Sequence, residues 1–240
     1  MMSEAIYRSD PYARHCEARV LALSEGGGVV VERSVFYPAG GGQPGDSGWL
    51  EGPGGRLAIA DTRKGEGGAV VLIPAEGAGR LPAVGERVTL ELDWDRRFAH
   101  MRVHTALHLL SVVLPFPVTG GQIGAGKGRL DFDMAEAPGD KPALEAALND
   151  LVARDLPVNE DWISDEDLAA NPGLVKTLSV APPMGQGRVR LVRVGQGETQ
   201  VDLQPCGGTH VARTGEIGRL VLGKIEKKGR QNRRVTLHLG

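Results

Sequence analysis

The chain has 240 residues, including 35 glycines and 15 prolines, and its formal net charge is −2. Because 41% of the residues are hydrophobic and 24% charged, enough apolar surface exists to offset the entropy lost on ordering, which excludes a wholly disordered chain. The two cysteines are too few for a disulfide framework, and no apolar stretch approaches the ~20 residues of a membrane span. With no apolar leader at the N-terminus, we expect a cytoplasmic protein without a membrane partner.

Up to Leu92, short β-branched or alternating segments are separated by glycine-rich turns. Several short strands at this spacing predict a small β-barrel. The predicted strands are Arg19–Leu23, Val29–Arg33, Arg56–Ala60, Ala69–Ile73 and Glu86–Leu92.

One turn region of this half is the segment Phe36-Tyr37-Pro38-Ala39-Gly40-Gly41-Gly42-Gln43-Pro44-Gly45-Asp46-Ser47-Gly48. Successive glycines expose backbone N–H groups that a phosphate or a ribose can approach closely. No Gly-Lys-Ser/Thr follows, so the segment is not a P-loop. An ordinary turn of the barrel is the alternative interpretation.

The pattern changes at Asp93, since no glycine occurs from there to Phe116. This segment predicts one long buried helix to about Leu114, which Pro115 and Pro117 would end. We therefore divide the chain into a β-barrel domain, residues 1–92, and a second domain, residues 93–240.

The second domain mixes helical and strand patterns, which predicts an α+β fold with an antiparallel sheet and helices on one face. The predicted helices are Lys141–Arg154 and Ser164–Asn171. The predicted strands are Gly128–Asp133, Lys176–Val180, Arg188–Val194, Thr199–Leu203, Ile217–Ile225 and Arg234–Leu239. The glycine-rich stretch Thr119–Gly128 is either a loop lining a site or a hairpin connection.

Histidine and cysteine occur in two pairs with the same spacing. His104 and His108 lie one helical turn apart, and Cys206 and His210 flank a Gly-Gly pair that lets the backbone fold tightly. Three imidazoles and one thiolate suit tetrahedral Zn²⁺, one ion per chain. A buried polar cluster without metal is the alternative. The helix lacks the Glu of H-E-x-x-H, which excludes a thermolysin-like protease.

A basic cluster lies near the C-terminus of this slightly acidic chain. It is the best candidate for contacts with a phosphate backbone, although a solvated sheet edge has the same composition. Its members are Lys224, Lys227, Lys228, Arg230, Arg233 and Arg234.

Three motifs in order, the Phe36–Gly48 segment, His104-Thr105-Ala106-x-His108 and Cys206-Gly207-Gly208-Thr209-His210, resemble the AlaX family. These freestanding proteins are related to the editing domain of alanyl-tRNA synthetase. The resemblance implies a β-barrel followed by the α+β editing domain that threonyl-tRNA synthetase also has. It also implies a trans-editing hydrolase that cleaves serine or glycine from mischarged tRNA(Ala).

The resemblance implies that four residues are both zinc ligands and catalytic residues: His104, His108, Cys206 and His210. Substrate contacts are expected from Thr105 and Gln122, which could recognise a serine hydroxyl, and from Gly40, Gly41, Gly42 and Gln43. Zinc either activates water or only positions the 3′ end of the tRNA. Two other functions stay open: tRNA binding without catalysis, and hydrolysis of a small ester or amide.

Overall fold

The structure is a computed structural model that describes residues 2–178 and 187–240. The chain forms two compact units, Met1–Phe98 and Ala99–Gly240. A closed barrel in the first and antiparallel sheets with helices in the second confirm the predicted α+β class. Among the described residues, no helix combines the length and the apolar character needed to cross a bilayer.

The first unit is built around a closed six-stranded barrel with the order β2-β3-β7-β6-β5-β8. A separate two-stranded sheet pairs β1 with β4 in parallel. The elements are β1 Glu4–Ala5, α1 Ile6–Ser9, β2 His15–Leu23, β3 Val29–Val31, β4 Arg33–Ser34, β5 Gly48–Gly52, β6 Gly55–Lys64, β7 Val70–Pro74 and β8 Arg87–Leu92.

The alternation of apolar and polar residues along the strands explains the barrel, since the apolar residues occupy the inward positions. In β8, for example, Val88, Leu90 and Leu92 are buried and the residues between them are exposed. Strand β5 was not predicted, because glycine at both of its ends gives the short segment Gly48–Gly52 the composition of a turn.

The second unit contains two antiparallel sheets instead of the single sheet predicted. Their orders are β14-β15-β10-β9 and β11-β12-β13. The remaining elements are α2 Trp94–Val113, β9 Val118–Ile123, β10 Lys127–Asp133, α3 Lys141–Ala153, β11 Val158–Ser164, α4 Asp165–Ala170, β12 Arg188–Val194, β13 Asp202–Pro205, β14 Leu220–Lys227 and β15 Asn232–Leu239.

Several predicted elements of this unit differ from those observed. The glycine-rich stretch Thr119–Gly128 forms most of the β9–β10 hairpin, so the hairpin alternative is correct. Strand β11 was not predicted. The strand predicted over Lys176–Val180 runs beyond the described residues, although Thr177 forms a parallel bridge with Val118.

Helix α2 packs closely on the four-stranded sheet at Gly128. A Cβ atom at this position would lie 2.6 Å from Val103 Cγ1 and 3.1 Å from Leu107 Cδ1. Only glycine allows this approach without a shift of the helix. The contact fixes the half of α2 that carries His104 and His108.

Candidate active site

Helix α2 presents His104 and His108 on one side, because residues four apart lie one above the other on a helix. Both side chains are buried. Their ring centroids are 5.4 Å apart. The helix therefore supplies two imidazoles to one location.

Cys206 and His210 reach the same location from the end of β13. The Cys206 amide donates to the carbonyl oxygen of Arg190 at 3.2 Å, which continues the pairing of β13 with β12 by one residue. Arg190 Nη1 in turn donates to the carbonyl oxygens of Cys206 and Gly208, at 2.8 and 3.0 Å. The guanidinium thus holds the turn between the two side chains, and Glu160 accepts from Arg190 Nη2 at 2.6 Å.

The four side chains form one cluster whose donor atoms all lie within 4.8 Å of one another. Cys206 Sγ is 3.4 Å from His104 Nε2 and 3.3 Å from His210 Nε2. Ligand bonds of ~2.0 Å for nitrogen and ~2.3 Å for sulfur around tetrahedral zinc place such atoms ~3.6 Å apart. The donor set and its spacing therefore fit one zinc ion.

The charge states of two donors also suit a metal. Burial raises the pKa of the Cys206 thiol, but the electrostatic interactions and hydrogen bonds with His104 and the other two histidines outweigh burial and hold that pKa well below its ordinary value. Burial lowers the pKa of His210 to about 3, so its imidazole is neutral. Thiolate and neutral imidazole are the forms that bind metal.

An acidic side chain fixes the orientation of His108. Asp202 Oδ2 lies 2.9 Å from His108 Nδ1, and this carboxylate also accepts from Gln204 Nε2 at 2.8 Å and from Lys176 Nζ at 2.6 Å. Although burial opposes the charge, the hydrogen bond to Asp202 raises the pKa of His108 to about 9. A carboxylate at one ring nitrogen makes the other a stronger and better oriented metal donor.

Asp202, Gln204 and Lys176 were not predicted from the sequence. The sequence did hold a signal for Asp202 and Gln204. They precede Cys206 by four and two residues, and alternate residues of a strand face the same side of its sheet. Nothing in the spacing of Lys176 relates it to this strand.

Thr105 lies beside the cluster, and its role in substrate binding stays a prediction. It is fully buried, and its hydroxyl oxygen lies 3.0 Å from Met101 O and 3.1 Å from His210 Nδ1. The amide of Val211 also donates to it at 3.3 Å. These contacts use the hydroxyl to orient His210.

Gln122, the other candidate for recognising serine, is exposed on β9. Its side-chain oxygen accepts from Arg129 Nε at 3.2 Å. Its role in substrate binding stays a prediction.

The glycine motif forms a tight turn in the first unit. Gly40 and Gln43 exchange two backbone hydrogen bonds of 3.0 Å, and Gly41 and Gly42 have φ values of 58° and 81°. Positive φ at both central positions is typical of a type I′ turn and favours glycine. Gly41 and Gly42 are exposed and Gln43 is buried, so only the backbone at the tip of the turn is open to a ligand.

A buried ion pair anchors the second half of this motif. Arg97 and Asp46 have side-chain exposures of 0% and 1%. Arg97 Nε donates to Asp46 Oδ2 at 2.9 Å, and Arg97 Nη2 donates to the same oxygen. The amide of Tyr37 donates to it as well, at 2.6 Å, which ties the two ends of the motif together.

The basic cluster divides into exposed and internally paired residues. Lys224, Lys227, Lys228 and Arg230 are exposed at and beside the β14–β15 turn, although Lys228 lies 3.5 Å from Glu226. Arg233 is buried and donates to backbone carbonyls, including that of Gly229 at 3.1 Å. Arg234 forms two bonds to Asp131, at 2.7 and 2.8 Å. The last two are thus held by the fold, whereas the first four present charge to the solvent.

Comparisons with known proteins match both units. Residues 189–236 match the family described as the threonyl and alanyl tRNA synthetase second additional domain, and residues 12–96 match the class II (A) tRNA synthetases. The chain is 36% identical to the alanyl-tRNA editing protein AlaX-M of Methanosarcina barkeri, with 99% of each chain covered. It is 35% identical to the AlaX-M protein of Methanosarcina acetivorans, again with 99% of each covered.

A longer relative matches over part of its length. The chain is 34% identical to an alanine–tRNA ligase of Pyrobaculum calidifontis, over 92% of this chain and 25% of the ligase. The chain therefore matches the editing proteins over almost their full length, but matches only a quarter of the ligase.

Proposed function

Since the chain belongs to the AlaX-M family of alanyl-tRNA editing proteins, we propose that it hydrolyses the ester that joins serine or glycine to tRNA(Ala). Discrimination in a synthetase pocket explains the need for this reaction. A pocket for alanine discriminates against glycine, which lacks one methyl group, by only ~1–3 kcal/mol of binding free energy. The same pocket rejects serine poorly, because serine only adds a hydroxyl. The resulting errors require a second site that removes them.

The observation that carries the proposal is the convergence of four metal-binding side chains, three of them buried, from two separate segments. His104 and Cys206 are 102 positions apart in the chain, yet their donor atoms are 3.4 Å apart. A bound zinc ion would supply a Lewis acid that holds and polarises an oxygen of the 3′-terminal ester. We assign His104, His108, Cys206 and His210 as its ligands.

The surrounding residues have supporting roles in this proposal. Asp202 and Thr105 orient His108 and His210, and Arg190 holds the turn that carries Cys206. Gln122 and the backbone of Gly40, Gly41, Gly42 and Gln43 are proposed to contact the aminoacyl end. The exposed Lys224, Lys227, Lys228 and Arg230 are proposed to contact tRNA phosphates, because they leave their charge open to solvent.

The test compares deacylation of Ser-tRNA(Ala), Gly-tRNA(Ala) and Ala-tRNA(Ala) by the purified protein. We expect hydrolysis of the first two and little of the third. Binding of all three without hydrolysis would favour a tRNA-binding protein without catalysis. Hydrolysis of a small amino acid ester that uncharged tRNA(Ala) does not inhibit would favour the small-ester hydrolase.

A further inference from the structure

An exposed tryptophan lies on the edge strand of the sheet that carries Cys206. Trp162 is on β11, the outer strand of the order β11-β12-β13, and 44% of it is exposed. The guanidinium of Arg188 lies over its ring, 4.5 Å from the centroid. An open aromatic ring beside a guanidinium is a pair of groups on which a nucleic-acid base can stack.

The register of the sheet relates this residue to the metal cluster. Trp162 pairs directly with Arg190, and the Cys206 amide bonds to the carbonyl of the same Arg190. Directly paired residues on antiparallel strands project to the same face. Two strand spacings of ~4.8 Å place Trp162 ~10 Å from Cys206 across that face.

In the part of the chain that the structure describes, the cation over Trp162 is not held in an ion pair, although acidic residues flank the tryptophan on both sides. The two acidic residues that precede it on β11 are neutralised by β12, because Glu160 pairs with Arg190 and Asp161 with Arg193. The first turn of α4, which follows β11, adds three further acids, Asp165, Glu166 and Asp167. Among residues 2–178 and 187–240, Arg188 has no carboxylate within ion-pair distance. The surface therefore presents an indole ring with a guanidinium above it that forms no ion pair within the described residues.

Resting on the editing function proposed above, we propose that Trp162 and Arg188 form a stacking platform for an unpaired base near the 3′ end of the RNA. A stacked strand rises ~3.4 Å per nucleotide, so ~10 Å corresponds to about three nucleotides between the platform and the ester. Aromatic and guanidinium groups both stack on bases, and the arginine charge also attracts the adjacent phosphate.

The chain provides a matched control for this surface. Trp49 on β5 has Arg56 at 4.6 Å from its ring centroid, almost the same arrangement, but on the barrel of the first unit. A general effect of losing a Trp–Arg contact would appear at both positions, although Trp49 is half-buried. A base platform beside the metal cluster predicts an effect at Trp162 alone.

The experiment measures KM and kcat for deacylation of Ser-tRNA(Ala), and Kd for a short single-stranded RNA with the same uncharged 3′ end. Trp162→Ala is expected to raise KM and Kd roughly 5- to 100-fold, as loss of one base–aromatic stack does. Trp162→Phe should restore most of the binding, and Trp49→Ala should change neither constant. Thermal unfolding and zinc content confirm that each variant is folded and loaded.

Two outcomes would overturn the platform. One is unchanged KM and Kd in a folded Trp162→Ala protein that still deacylates, in which case the editing function stands without the platform. The other is a dimer that forms in wild type and is lost in Trp162→Ala, because the surface would then be a protein contact. If the wild type does not deacylate, but Trp162→Ala weakens RNA binding, the editing proposal fails and the platform stands.

Discussion

Replacement of Asp46 by alanine should strongly destabilise the first unit. Arg97 is fully buried, and Asp46 is the carboxylate that neutralises it. Without Asp46 the guanidinium keeps its bonds to the carbonyl oxygens of Val35 and Pro11, at 2.7 and 3.0 Å, but loses its counter-charge. An uncompensated buried charge costs about 3–5 kcal/mol. We expect the free energy of unfolding of this unit to fall by that amount.

The assay is urea unfolding followed by tryptophan fluorescence, with hydrogen exchange of the barrel amides to locate the loss. The slope of unfolding free energy against urea must stay constant for the comparison to hold. The control is the double variant Asp46→Leu/Arg97→Met, which replaces the ion pair by apolar groups. Such replacements are often neutral or stabilising, so the double variant should recover part of the loss. Recovery is incomplete because the carbonyls of Val35 and Pro11 lose their donor and the amide of Tyr37 loses its acceptor.

Two results would refute this reasoning. A loss below about 1 kcal/mol in Asp46→Ala would mean that the Arg97 charge is solvated or neutralised in another way, as for an exposed pair. The second result is a double variant whose loss of unfolding free energy exceeds the summed losses of its two single variants. Packing around the pair, and not its charge, would then determine the cost.

Three further predictions concern the second unit. Cys206→Ala should release zinc and abolish deacylation, measured by metal analysis and by turnover of Ser-tRNA(Ala), and full activity of the metal-free variant would exclude zinc catalysis. Asp202→Asn should lower zinc affinity ~10- to 100-fold in competition with a chelator, whereas unchanged affinity would mean that His108 is oriented without it. The bond from Arg234 holds the pKa of Asp131 below its ordinary value, although burial opposes it. Its stabilisation is therefore complete above pH ~4 and is lost as pH falls through the lowered pKa. In unfolding curves, the difference between wild type and Asp131→Asn should shrink over that acidic range, and a constant difference would contradict it.

The sequence predicts best what is local and periodic. Helix α2 could be predicted to within one residue, because a glycine-free segment has an acidic start and a proline stop. The pairs His104/His108 and Cys206/His210 could be joined into one cluster because their residue types suit one metal. Their ordinary i, i+4 spacing needs no tertiary information.

What the sequence did not predict depends on contacts between distant strands. Strand β11 begins Val158-Asn159-Glu160-Asp161, a polar run that looks like a loop until β12 supplies the arginines that neutralise its acids. Asp202 looks like an ordinary surface acid until His108 and Lys176 are placed beside it. The buried hydroxyl of Thr105 likewise acquires its role only from the position of His210.

The separation of the two histidine and cysteine pairs has a consequence for how the protein matures. Each pair is local, but the full set of donors exists only after a loop of about a hundred residues has closed, which makes the site a late, long-range feature of folding. An ion that binds the native chain and not the unfolded one adds about 4 kcal/mol of stability at a thousandfold excess over Kd. Zinc supply would then set the lifetime of the protein as well as its activity, and a cell depleted of zinc would lose both together.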